Sequence, residues 1–160
     1  MAPSQTQAHL PAIAEHAREE AGQLLQLTLV ELIALSLIGK QLHWNIVGHG
    51  FRDLHLQLDE LVGEWRELSD VVAERAVAIG YPADGRAPAV VEQSDLRPVD
   101  PGPTSVPDAL RELTQGLAEV DERVRDRAER LGEIDLASQD VLIEVTRALE
   151  KQLWMIRSQL

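Results

Sequence analysis

The stretch KQLHWNIVGHGFRDLHLQLDE, residues 40–60, carries His43, His49 and His55, three of the chain's five histidines, with carboxylates close by. His55 and Asp59 are four apart, and so are Asp70 and Glu74 further along. On a helix, residues four apart share a face, so each pair offers two ligands to one cation. From 55 to 70 the step is fifteen residues. That is about 60° of rotation, so the two pairs face broadly the same way, and about 22 Å of axial rise. No single metal centre bridges that distance within one helix. Two copies of the helix packed antiparallel about a two-fold axis would bring His55 and Asp59 of one chain to Asp70 and Glu74 of the other. An isologous dimer makes two such sites. The midpoint falls between residues 64 and 65, beside Gly63, where a missing side chain allows close approach. The competing explanation is that Asp70 and Glu74 are solvated acids on a helix face and Gly63 is incidental. Imidazole with carboxylate suits iron, zinc or manganese, and two carboxylates with open positions favour iron with an oxidant.

The elements that must hold these residues read as four long helices. The first spans roughly 15–44. The second opens after Gly50, repeats Leu54, Leu58, Leu61, Trp65, Leu68, Val72 and Ile79 at helical spacing, and stops at Ile-Gly-Tyr-Pro. The third carries Val106, Leu110, Leu113, Leu117, Val120, Val124 and Leu131, with Ser105 as N-cap, Asp108 in its first turn and Gly132 as a left-handed C-cap. The fourth starts near Asp135 and shows Leu142, Val145, Leu149, Leu153, Ile156 and Leu160. Residues 80–107 hold six of the eight prolines and cannot be one helix, although Ala-Pro-Ala-Val-Val-Glu-Gln within them fits a short helical turn.

At 160 residues the chain is long enough for one domain with a full-sized core, 1–160, of which 1–14 reads as a short N-terminal extension. It is 44% hydrophobic and only 3% aromatic, so the core is aliphatic, which favours packed helices. The absence of cysteine rules out disulfides and thiolate metal sites. The first residues lack a basic and then apolar leader, so no secretory signal is expected and a cytoplasmic location is. The apolar run 24–38 is shorter than the ~20 residues of a membrane span and contains Glu31. It reads as a helix buried on more than one side, with a subunit interface as well as an internal core. A net charge of −12 disfavours nucleic acid and anionic membrane and suits cations.

Two short links and one long crossover between the second and third helices describe an all-α, ferritin-like four-helix bundle. Di-iron bundles of that kind usually carry Glu-x-x-His inside one bundle. Here the residues three before the histidines are Thr6, Ile13, Lys40, Ile46 and Arg52, so a centre inside one bundle is not expected.

Residues 40–80 resemble the signature region of the Dps family, the mini-ferritins named for DNA protection during starvation. The match is His-Trp-Asn at 43–45, a His twelve after the first, an Asp four later, and Asp-x-x-x-Glu fifteen beyond the second His. The resemblance extends over the whole chain, including 135–154 in the last helix. It implies a hollow homo-dodecamer built from two-fold dimers. It also implies a di-iron ferroxidase centre at each two-fold interface, with His43, His55 and Asp59 from one subunit and Asp70 and Glu74 from its partner. Family chemistry is oxidation of Fe²⁺ to Fe³⁺, preferably with hydrogen peroxide and otherwise with O₂, followed by storage of ferric mineral. Trp44 would lie near the centre and intercept stray oxidising equivalents; the alternative is an aromatic core residue. Asp135, Asp140 and Glu144 match acidic positions lining three-fold iron-entry pores, although Asp135 also fits a plain N-cap. His49 matches no ligand position and is assigned to a loop, and His9 and His16 are expected in exposed or capping roles.

Direct DNA binding is expected to be weak or absent. Residues 1–14 contain no Lys or Arg, the chain has two lysines, and it stops at Met-Ile-Arg-Ser-Gln-Leu without a basic tail. Two other functions fit the same cage: a structural, nucleoid-associated assembly with a vestigial site, and a metal-dependent hydrolase. No nucleophile elbow or triad supports the hydrolase.

Overall fold

The structure, a computed structural model, describes residues 13–160. His9 and the extension up to residue 12 therefore lie outside the described residues. The elements run α1 (Glu15–Asn45), β1 (Ile46–Val47), α2 (Phe51–Ala78), α3 (Ala87–Gln93), β2 (Thr104–Ser105), α4 (Val106–Gly132) and α5 (Leu136–Arg157). Short links make α1–α2 and α4–α5 two helical hairpins, packed on each other as the four-helix bundle expected from the pattern.

The apolar positions read from spacing are buried along α2 and α4, from Leu54 to Ile79 and from Val106 to Leu131. On α5 the stripe closes one step early. Ile156 is buried, whereas Leu160 lies beyond the helix end at Arg157 and is exposed. Gly132 also departs from expectation. It does not take a left-handed conformation; α4 runs through it to a right-handed Glu133 cap. A Cβ there would crowd the amide end of the Gln139 side chain, which would have to swing aside.

α1 is apolar on most of its circumference because it packs on α2, α3 and α4. By length and composition it could cross a membrane, yet 67% of its most apolar window is buried inside the bundle. Glu31, 1% exposed, is gripped there by Arg123 Nε and by Arg127 Nη1 at 2.5 Å. Burying a carboxylate is costly without such partners.

The crossover runs the length of the bundle. It leaves α2 through Gly80, whose φ of 88° ends the helix, and is tied to α1 by Gln26. The Gln26 amide donates to Asp84 O (2.8 Å) and to Gln93 Oε1 (3.3 Å), and its oxygen accepts from Asp84 N (2.9 Å). α3 occupies the Ala-Pro-Ala-Val-Val-Glu-Gln segment and seats Val90 against Val30 and Ala34. At the far end the crossover adds a two-residue parallel ladder, Ile46 to Thr104 and Val47 to Ser105, that no period-two pattern announced. Ser105 then caps α4 as expected, accepting from Asp108 N at 3.3 Å.

Candidate metal centre

The corner between α1 and α2 is Gly48-His49-Gly50. Gly48 and Gly50 have φ of 105° and 80°, a region that glycine enters without strain. His49, between them, is exposed and stays in the turn, and His16 is exposed on α1. Reversing the chain there brings the last turn of α1 alongside the start of α2. One turn before His43, Gly39 lets the helices approach; a Cβ would stand 2.7 Å from both the Trp65 ring and Val62 Cγ2. Trp65 is fully buried and donates from Nε1 to Gln152 Oε1 (2.8 Å), fixing the ring that rests on Gly39.

His43 and His55 meet across this contact as stacked rings, centroids 3.7 Å apart and planes 19° from parallel. His43 Nδ1 lies 2.9 Å from the His55 carbonyl oxygen, and His55 Nδ1 lies 2.9 Å from the His43 carbonyl oxygen. A carbonyl only accepts, so both Nδ1 atoms carry hydrogen, and in the neutral rings both Nε2 atoms keep a lone pair. Fixing the tautomer through the other ring nitrogen is how proteins orient imidazole ligands. Phe51 stacks on the outer side of His55, with centroids 5.1 Å apart.

Asp59 completes the group, with Oδ1 3.6 Å from His43 Nδ1. Among the described residues, His43, His55 and Asp59 form the one set of three or more such side chains whose ligand atoms all lie within 4.8 Å of one another. Asp59 is also ion-paired with Lys40 Nζ. The hydrogen bond from Lys40 holds the Asp59 carboxyl below the usual carboxylate range. Burial opposes this bond but is weaker than it, and the charges of His43, Lys40 and His55 add to the lowering. The set is thus a half-site of two imidazoles and one carboxylate, donors that suit a first-row divalent metal.

The remaining expected residues stand apart from it. Asp70 and Glu74 are exposed on α2 and do not join the cluster. Gly63 is exposed, and a side chain there would meet nothing within 4 Å in the protomer. Trp44 is 69% exposed, which removes the reading of a core aromatic. Asp140 and Glu144 are exposed on α5. Asp135 is not free in the same way. It caps α5, accepting from Ser138 N (3.0 Å) and Ser138 Oγ (2.5 Å), and it binds Arg75 Nη2 at 2.6 Å. Burial pushes its carboxyl up, but the hydrogen bonds from Ser138 and Arg75 outweigh this and leave it below the usual value. Lys40 and Arg75 are the residues that sequence reasoning missed. Lys40 sits one turn before His43, but its carboxylate partner is nineteen residues away on another helix.

This fold and half-site define a ferritin-like four-helix protein, and residues 22–160 match the Ferritin family, described as a ferritin-like domain. The chain is 32% identical over 149 residues to DNA protection during starvation protein 2 of Deinococcus radiodurans, covering 93% of this chain and 62% of that protein. It therefore spans about three fifths of that relative's length. It is 31% identical over 151 residues to the DNA protection during starvation protein of Mycolicibacterium smegmatis, covering 94% of this chain and 82% of that one. The fine tangled pili major subunit of Haemophilus ducreyi is 35% identical over 138 residues, with 86% and 73% covered. The solved tetragonal form of Mycobacterium smegmatis Dps matches with a TM-score of 0.91 at 31% identity, covering 94% of this chain and 93% of that one. The chain belongs to the Dps family.

Proposed function

We propose that the protein is an iron-binding mini-ferritin that oxidises Fe²⁺ and stores the ferric product, limiting oxidative damage in the cytoplasm of its cell. The observation that carries this is the half-site, in which His43, His55 and Asp59 bring ligand atoms within 4.8 Å of one another. Iron is the substrate and cargo. Asp70 and Glu74 of a two-fold partner would supply the remaining carboxylates. Their exposure, the bare surface at Gly63, and the agreement between axial rise and antiparallel pairing all support that arrangement.

Two ferrous ions held together give one electron each to hydrogen peroxide, whose O–O bond breaks. With two further waters the products are two ferric oxyhydroxide units and four protons. Because both electrons leave in one event, no hydroxyl radical is released. Trp44, exposed and next to His43 in the chain, would intercept a stray oxidising equivalent. Asp140 and Glu144 would guide Fe²⁺ through three-fold openings of a dodecameric shell. Protection of DNA, the role named in the Deinococcus and Mycolicibacterium relatives, would here follow from removing iron and peroxide. A net charge of −12 per chain opposes phosphate binding.

Purified protein given Fe²⁺ and peroxide should consume two Fe²⁺ per peroxide and yield a soluble, iron-loaded particle of dodecamer mass on size exclusion. A protein that remains monomeric and leaves peroxide unconsumed would refute the proposal.

A further inference from the structure

Arg75 follows Glu74 directly, and successive helical residues are about 100° apart, so the two point away from each other. Glu74 is exposed, whereas Arg75 reaches to the start of α5 with only 19% of its side chain exposed. There its Nε donates to Ser138 Oγ (2.9 Å) and its Nη2 to Asp135 Oδ2 (2.6 Å). Ser138 is fully buried and donates to the same Asp135 oxygen from both N and Oγ. Arg75, Ser138 and Asp135 close a ring of hydrogen bonds in which each side chain holds the other two.

We propose that Arg75 is a positioning residue for iron entry, clamping the first turn of α5 to α2 and so fixing where Asp140 and Glu144 stand. This rests on the iron-storage reading given above. Asp140 and Glu144 lie about 7 Å and about 13 Å along α5 from Asp135, within the stretch whose direction the clamp sets. The guanidinium also neutralises Asp135, so the free negative charge of this segment is that of Asp140 and Glu144.

The test uses the assembled protein and reads anaerobic Fe²⁺ loading by metal analysis after desalting, beside oxidation by peroxide. Arg75→Gln should raise the Fe²⁺ concentration for half-maximal loading at least threefold while the maximal oxidation rate stays within twofold. Arg75→Lys should recover at least half of the loss. Adding Asp135→Asn to Arg75→Gln should cause no further change. Should Arg75→Gln fail to assemble, Ser138→Ala, which removes one partner of the ring, should shift half-maximal loading in the same direction. A lower melting temperature with unchanged half-maximal loading would reduce Arg75 to a structural strut and overturn the proposal, as would additive effects of the two substitutions. Loading needs no oxidation, so this result is separable from the oxidation step, which is tested by substituting Asp70 and Glu74.

Discussion

His43 and His55 each direct Nδ1–H at the other's main-chain carbonyl, at 2.9 Å in both directions. Neither ring can turn without breaking a bond made by the other helix. The orientation of both rings is therefore set by the α1–α2 contact itself. Removing one imidazole disturbs both, so His43→Ala and His55→Ala should each weaken Fe²⁺ binding at least tenfold. The double variant should be little worse than either single one. Anaerobic titration of the three proteins checks this, and strictly multiplicative losses would show that the rings act independently.

Asp70→Asn with Glu74→Gln should slow peroxide-driven Fe²⁺ oxidation at least tenfold and leave the particle mass unchanged. Both residues are exposed and hold no core contact, so the fold does not depend on them. Stopped-flow absorbance with light scattering measures both outcomes, and wild-type kinetics in this variant would mean that the half-site is vestigial.

Lys40 places an ammonium on the Asp59 carboxylate that a metal would need. Lys40→Met removes that competitor, and Fe²⁺ should bind several-fold more tightly at neutral pH. Unchanged or weaker binding would show that the lysine supports the site and does not compete for it.

Gly39→Ala drives a methyl into the Trp65 ring and Val62. Overpacking of this kind costs roughly 1–3 kcal/mol. Because the strain lies one turn from His43, iron binding should weaken together with the melting temperature. A drop in melting temperature alone would place the relaxation on the far side of Trp65.

Glu31→Gln leaves Arg123 and Arg127 facing a neutral group in the bundle interior. Breaking a buried ion pair from one side costs on the order of 3 kcal/mol. Chemical unfolding should show that loss without a change in the iron chemistry, since the triad lies outside the metal cluster.

Asp84 sets a pH dependence for the crossover. Hydrogen bonds from the Arg86 side chain and main chain lower its pKa from 3.8 to about 2. A depressed carboxyl stabilises the fold above its ordinary value and loses that contribution as pH falls toward the folded one. Wild-type and Asp84→Asn melting temperatures should therefore differ at pH 7 and converge between pH 4 and pH 2. A gap that stays constant over that interval would assign the effect to geometry and not to charge.

The helices were legible because their burial is periodic. Leu54 through Ile79 and Val106 through Leu131 all point inward, and the prolines at 82 and 88 bracket the start of the crossover in which α3 forms. His55 and Asp59 were legible because both lie on one helix at helical spacing. Lys40 and Arg75 were not, since each finds its carboxylate on a different helix and no local pattern encodes that pairing. Gly132 misled because glycine after a helical run signals a left-handed cap, whereas here α4 runs on through it to a right-handed Glu133. Trp44 could be read by sequence as a core aromatic or as a residue near the centre, and its 69% exposure in the protomer removes the core reading.

The two-residue ladder of Ile46–Val47 with Thr104–Ser105 joins segments nearly sixty residues apart, whereas His43, His55 and Asp59 all belong to the first hairpin. Contacts that close short loops form early, and those that close long ones wait for the intervening chain. During synthesis the imidazole pair can therefore assemble while α4 and α5 are still unmade. The ladder becomes the late latch that brings the second hairpin into register. If the protein stores iron as proposed, a nascent chain would hold its imidazole pair before it has made the helices of its second hairpin.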